Sequence, residues 1–509
     1  MIRICVSMAC LLSLSACASS GGPTEAPPPA VRQQQDSYYQ SAAKAVSGRE
    51  AERGAPRAKN VILFIGDGMG VSTITAGRIW AGQNRGVDGE SYRLAMETLP
   101  YSAFAKTYTH DSQVADSAPT ATAMTTGVKS YNGTIGVTQS ADIRKCVTAE
   151  TASADSLWEI AEDAGLATGV ISTARLTHAT PAATYAKTTE RDWENDAQVS
   201  PSGKEAGCRD IARQFVDWRH GDGFEVFMGG GRANFLPSTL VDPEYPNLKG
   251  ARADGRDLTR EWAEAGSSRR VVTDLAGFRG VNFDSDVQVL GLFEPSHMQY
   301  EADRARDRAG EPSLADLTRA AITRLSRNPK GYVLMVEAGR IDHAHHAGNA
   351  ARALADTAAL DEAVAAAMAA SDPRDTLIIV TADHSHTFVI QGYPGRNNPI
   401  LGLVTYPDGK GAVRGLDSRP FTTLAYMNGP GSICRISPQG NVCNREDLSK
   451  VDTQALDYVQ QALIPLPSET HGGEDVAVFA RGPGAQLVSG TIEQNEIFHV
   501  MARSLGLVR

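Results

Sequence analysis

Asn60-Val61-Ile62-Leu63-Phe64-Ile65 is followed at once by Gly66-Asp67-Gly68. From Val61 to Ile65 no polar residue alternates with the apolar ones. A strand buried on both faces has this pattern, whereas a half-exposed strand alternates. Comparable short runs recur at residues 167–172, 332–336, 376–380 and 476–479. Between them lie stretches with helical spacing, at 153–164, 314–325 and 350–370. Strands alternating with helices imply an α/β sheet covered on both faces. In such a sheet, chemistry is expected at the carboxyl ends of the strands.

Residues 411–465 break the rhythm, with several glycines and no strong periodicity, and read as an inserted surface subdomain. The body of the chain is then 54–410 together with 466–509. Ahead of it, Arg3 and an apolar stretch over 4–14 read as an export signal. Its ending, Leu14-Ser15-Ala16-Cys17, has the form of a lipoprotein signal, 1–17, with the lipid on Cys17. Residues 18–35 begin rich in Pro, Ser, Gly and Ala and read as a flexible tether. A helix is expected over 36–53, capped by Asp36 or Ser37. The expected location is the periplasm or cell envelope.

Seven cysteines divide between that signal region (Cys5, Cys10, Cys17) and four others, an even number in an oxidising compartment. Proximity pairs Cys434 with Cys443 and leaves Cys146 for Cys208. The formal charge of -10 argues against a nucleic-acid partner. An anionic substrate then needs a local positive centre, which bound metal ions would supply.

Acidic and histidine residues cluster where the strands end. Asp67 follows the first strand. Glu337, Asp342, His343, His345 and His346 follow the run at 332–336, and Asp383, His384 and His386 follow the run at 376–380. His471 precedes the run at 476–479. On a helix, Asp342 and His346 are four apart and share a face, so both can hold one metal. Mixed carboxylate and imidazole donors suit zinc, whereas all-oxygen sets suit magnesium or calcium. Any one of these residues alone reads as a solvated loop position. Three such clusters at strand ends, in a chain with 11 His, do not. In Asp116-Ser117-Ala118-Pro119, Pro119 suits a first helical turn, which places Ser117 near free N–H groups that favour a phosphoryl group.

Together these strings resemble the alkaline phosphatases, over nearly all of residues 60–506. They are Asp67-Gly68-Met69-Gly70, Asp116-Ser117-Ala118, Thr126-Gly127-Val128-Lys129, the run from Glu337 through His346, Thr381 through His386, and His471-Gly472-Gly473-Glu474-Asp475. The resemblance is to the His-rich, animal-type branch. It implies a three-layer α/β/α sandwich with a large central, mostly parallel sheet and an inserted crown-like subdomain. It implies hydrolysis of phosphate monoesters, with a phosphodiesterase of the same superfamily as the alternative. Ser117 would be the phosphorylated nucleophile, and Arg191 would clamp phosphate oxygens with Asp116 orienting it. One Zn2+ would be held by Asp342, His346 and His471, a second by Asp67, Asp383 and His384, and Mg2+ by Asp67, Thr180 and Glu337. His178, His343 and His386 would stand behind those ligands. A Ca2+ site would use Glu244, Phe293, Glu294 and Glu311, the last where the family usually has Asp. The family also implies a homodimer whose N-terminal helix grips the partner.

Overall fold

Strand β1 (Asn60–Gly66) is buried at every position, as a continuous apolar run requires in a sheet covered on both faces. The computed structural model describes residues 30–54, 57–435, 440 and 442–508. The expected signal sequence, Cys17 and most of the tether lie outside the described residues. In chain order the main sheet continues with β2 (Tyr101–Lys106), β3 (Ala167–Arg175), β4 (Val226–Gly230), β5 (Arg269–Val272) and β6 (Gln288–Leu292). It ends with β7 (Tyr332–Ala338), β8 (Thr376–Ala382), β9 (Val476–Arg481) and β10 (Gly490–Glu493). These ten strands are ordered β10-β2-β9-β8-β1-β7-β3-β4-β6-β5. β9 runs antiparallel to β2 and β8, and every other neighbouring pair is parallel. The α/β fold with a mostly parallel central sheet is therefore as expected.

Five helices matter for the site. They are α1 (Ser37–Arg53), α2 (Ser117–Thr126), α3 (Arg340–His346), α4 (Ala350–Ala370) and α5 (Glu496–Ser504). α1 is capped by Asp36, which accepts from the N–H groups of Tyr38 and Tyr39. It buries Tyr39, Ala42 and Val46. The Tyr39 ring lies 4.4 Å from that of His499 and 5.8 Å from that of Phe498, both on α5. Arg49–Glu496 and Arg503–Glu50 ion pairs flank this contact. The apolar side of α1 is thus used within its own chain.

Docking starts even earlier, inside the stretch read as tether. Residues Arg32–Gln35 form a 3-10 turn, and the buried Gln33 amide donates to Thr126 O and Asp155 O, each at 2.9 Å. The helix expected over 153–164 begins only at Leu157. Ser156 stops it from starting earlier: its side chain and that of Glu159 form a reciprocal capping box. Ser153, upstream, instead bridges to Val137.

A second, smaller sheet joins Phe388–Ile390, Leu424–Gly429 and Ala462–Pro465. Beside it Cys434–Arg435 pairs with Val442–Cys443. Residues 388–390, ahead of position 411, thus share a sheet with strands from the stretch 411–465. Both cysteine pairs form as proximity predicts, Cys146–Cys208 and Cys434–Cys443.

Register decides where chemistry can occur. Ile65 pairs with Glu337 on one side and Thr381 on the other, and Ser172 pairs with Glu337. The carboxyl ends of β3, β7, β1 and β8 thus finish level, and the loops that follow them share one edge.

Candidate active site

Asp67 is the first residue past β1, and Asp383 and His384 are the first past β8. The turn after Asp67 needs glycine. Gly68 has φ +69°, and a Cβ there would fall 2.3 Å from His386 Nε2. Its N–H donates to Asp383 Oδ1 at 2.9 Å, which ties the two strand ends together. His384 Nε2 lies 3.2 Å from Asp383 Oδ2 and 3.4 Å from Asp67 Oδ1.

Ser117 is the first residue of α2, and Asp116 is its N-cap, accepting from Ala118 N at 2.7 Å. The helix is buried throughout and ends at Gly127 in the left-handed region. Ser117 Oγ stands 3.1 Å from His384 Nε2 and 3.5 Å from Asp67 Oδ1. The hydroxyl therefore faces the carboxylate and imidazole atoms at the ends of β1 and β8.

A second set gathers around α3. Asp342 Oδ1 is 3.3 Å from His346 Nε2 and 3.3 Å from His471 Nε2. His346 Nδ1 donates to Glu469 O at 2.6 Å, and His471 Nδ1 donates to Ala115 O at 2.7 Å. With both protons held on Nδ1, both Nε2 atoms carry lone pairs, and they face each other at 3.1 Å. Two lone pairs and a carboxylate converge on one point, an arrangement that a cation stabilises and that is otherwise repulsive.

A third set lies behind Asp67, where Asp67, His178 and Glu337 converge. Asp67 Oδ2, Asp383 Oδ2, Glu337 Oε1 and Thr180 Oγ1 are all buried without a hydrogen-bond partner. Buried polar groups rarely stay unpaired unless an ion or water completes them. Burial, reinforced by the carboxylates of Asp383, Asp342 and Glu337, holds Asp67 well above the ordinary carboxylate range. Burial also lifts Glu337 to about 8, with a hydrogen bond from Ser172 acting the other way. Carboxylates this crowded ionise together only beside bound cations. The donor set therefore fits metal ions.

Arg191 reaches this edge from the loop that follows α2 and β3. Its NH1 pairs with Asp116 Oδ1 at 3.2 Å, and its NH2 donates to His178 Nε2 at 3.0 Å. Asp116 Oδ2 accepts from Gly133 N at 2.6 Å, so this carboxylate aligns both the arginine and the loop. Because His178 Nε2 accepts from Arg191, its proton sits on Nδ1, which leaves no lone pair for a metal. Burial and then the Arg191 charge hold His178 well below the usual histidine range, so it stays neutral. His343 packs beside it, with ring centroids 5.5 Å apart. His386 bridges Asp342, at 2.9 Å from Nε2, and Glu469.

Several contributors were not singled out from sequence. Ser172 donates to Glu337 Oε2. His297 lies against His343, with ring centroids 3.9 Å apart and the planes tilted by 53°, and contacts Arg175. His345, which the sequence places in a cluster without a role, joins Thr73 at 3.0 Å to Tyr426 at 2.7 Å. Glu469 touches His346 and His386. At the expected calcium position, Asp307 converges with Glu244 and Glu294, a carboxylate not singled out from sequence. Glu311 Oε1 accepts from Gln299 N at 2.9 Å while its Oε2 is buried without a hydrogen-bond partner, and Phe293 O accepts from Arg232.

Residues 58–507 match the family model for alkaline phosphatase. The chain belongs to the alkaline phosphatase family. It is 46% identical over 451 residues to the tissue-nonspecific alkaline phosphatase isozyme of Gallus gallus, covering 87% of this chain and 84% of that one. It is 43% identical over 453 residues to an alkaline phosphatase of Gadus morhua, covering 88% and 91%. Among solved structures, the Thermus thermophilus alkaline phosphatase superposes with a TM-score of 0.61 at 26% identity, covering 89% of this chain and 92% of that one. These relationships fit the animal-type branch. Membership of this alkaline phosphatase family makes the chain a phosphomonoesterase, and the diesterase alternative is not favoured. The family implies metal cofactors. No helix among the described residues is long and apolar enough to cross a membrane.

Proposed function

We propose that this phosphomonoesterase works through a phosphoserine on Ser117, at a centre of two Zn2+ and one Mg2+. The observation that supports it best is the pair of lone-pair nitrogens, His346 Nε2 and His471 Nε2, facing each other at 3.1 Å beside Asp342. Asp342, His346 and His471 would hold one zinc, and Asp67, Asp383 and His384 the other. Asp67, Thr180 and Glu337 would hold magnesium. When bound, such ions offset the charge of a phosphate dianion and bring the pKa of water down to about 7.

The protein's own groups do the rest. Ser117 attacks phosphorus in line, the ester oxygen leaves with the alcohol, and water then releases phosphate from the opposite side. The N-terminal N–H groups of α2 and its dipole favour the phosphoryl group at that spot. Arg191 offers a planar pair of donors matched to two phosphate oxygens. Asp116 keeps that fork in place, while His178 and His343 fill the space behind it.

Calcium at Glu244, Phe293, Glu294 and Glu311, with Asp307 beside them, export, and a lipid on Cys17 complete the reading. A homodimer fits exposed Met427, Leu463, Ile464 and Leu466 on the crown, since α1 is already used within the chain. The test is metal analysis of protein purified without chelators, alongside turnover of a chromogenic monoester and diester. Two zinc per chain with monoester preference is expected. Diester preference, or activity without metal, would contradict it.

A further inference from the structure

Glu469 is buried, 1% exposed, two residues ahead of His471, yet it contacts a different part of the centre. Its Oε1 accepts from Thr387 N at 2.7 Å and from Thr387 Oγ1 at 2.6 Å. Its Oε2 meets His386 Nδ1 at 2.5 Å. Its backbone carbonyl takes the Nδ1 proton of His346, and its own N–H donates to His346 O at 3.0 Å. Both carboxylate oxygens and both backbone groups are therefore engaged within the protein.

The two histidines it holds both lead to Asp342. His346 turns its Nε2 to Asp342 Oδ1 at 3.3 Å, and His386 turns its own to the same oxygen at 2.9 Å. Glu469 thus fixes the ring orientation of one expected zinc ligand and, through His386, the orientation of a second. A carbonyl behind a metal-binding histidine sets which nitrogen faces the metal, as the Glu469 carbonyl does for His346, while the Glu469 carboxylate acts one step further back, through His386 on Asp342. The backbone leaves little slack. Gly429 passes so close that a Cβ there would lie 3.0 Å from Glu469 Cβ.

We propose that Glu469 is the positioning residue of the Asp342–His346–His471 zinc site, acting by the placement of its carboxylate rather than by its charge. This rests on the zinc reading of that site. Two conservative variants separate placement from charge. Glu469→Asp keeps the charge but withdraws the carboxylate by one methylene, away from Thr387 and His386. Glu469→Gln loses the charge but keeps the reach, its oxygen accepting from Thr387 and its amide donating to His386 Nδ1 once that ring carries its single proton on Nε2, toward Asp342.

The experiment is zinc titration of the full chain against a chromophoric chelator, with kcat and KM for a monoester measured in parallel. Glu469→Asp is expected to bind zinc roughly 10- to 100-fold more weakly and to lose kcat at unchanged KM, while Glu469→Gln stays within about threefold of the parent. An Asp variant that binds as tightly as the parent overturns the proposal. So does a Gln variant that falls as far as the Asp one, because charge would then be what matters. A parent chain that binds no zinc would instead overturn the zinc reading itself, so the two failures are distinct.

Discussion

Replacing Cys146 and Cys208 together by serine removes the staple that closes a 62-residue span of chain. Treated as loss of loop-closure entropy from the unfolded state, a span of that length contributes about 4 kcal/mol. The 9-residue span between Cys434 and Cys443 contributes about 2.6 kcal/mol on the same relation. The longer loop also encloses His178, Thr180 and Arg191. Its removal should therefore loosen the phosphate clamp as well as lower stability. Urea unfolding of the two double-serine variants, with monoester KM and zinc content measured in parallel, reads out both effects. The expected order is a larger midpoint loss for Cys146/Cys208, with raised KM and unchanged zinc. Equal losses, or a Cys434/Cys443 variant that is the weaker of the two, would refute the reasoning from loop length.

Arg191→Ala removes a forked cation whose phosphate bonds are each worth about 1.5–3 kcal/mol, so kcat/KM should fall by roughly 100- to 10,000-fold with the thermal midpoint held. Steady-state kinetics with a chromogenic monoester would show it, and a loss under about tenfold would count against the clamp. Glu162 supplies a pH test away from the metals. Burial, with Glu225 nearby, raises it to about 9 from its ordinary 4.5. A carboxyl raised on folding contributes stability that is full below its unfolded value and is lost as pH climbs through the folded one. Glu162→Gln should therefore melt a few degrees above the parent at pH 10 and show no such gain at pH 4. Scanning calorimetry at the two pH values checks the sign.

The central strands were legible because burial on both faces leaves a continuous apolar run, as in Val61 to Ile65. The α2 start was legible because Pro119 and the Asp116 cap are local signals. Asp342 and His346 declared themselves by helical spacing. What stayed hidden depends on contacts between distant segments. Glu469 meets His386 across 83 positions and His346 across 123, and nothing near it in sequence marks that role. His297 acquires its place only when its loop folds over His343. At the calcium position, nothing near Asp307 in sequence marks its approach to Glu244 and Glu294, which lie 63 and 13 positions away. The late start of the helix at Leu157 was written in Ser156 and Glu159, a local pattern that helical periodicity overrode.

The most direct test of the account is rapid acid quenching of turnover, followed by mass spectrometry of the peptide carrying Ser117. The parent should carry one phosphoryl group on Ser117, and Ser117→Ala should carry none while keeping its zinc. A phosphorylated Ala variant, or a parent that turns over substrate with Ser117 never modified, would contradict it.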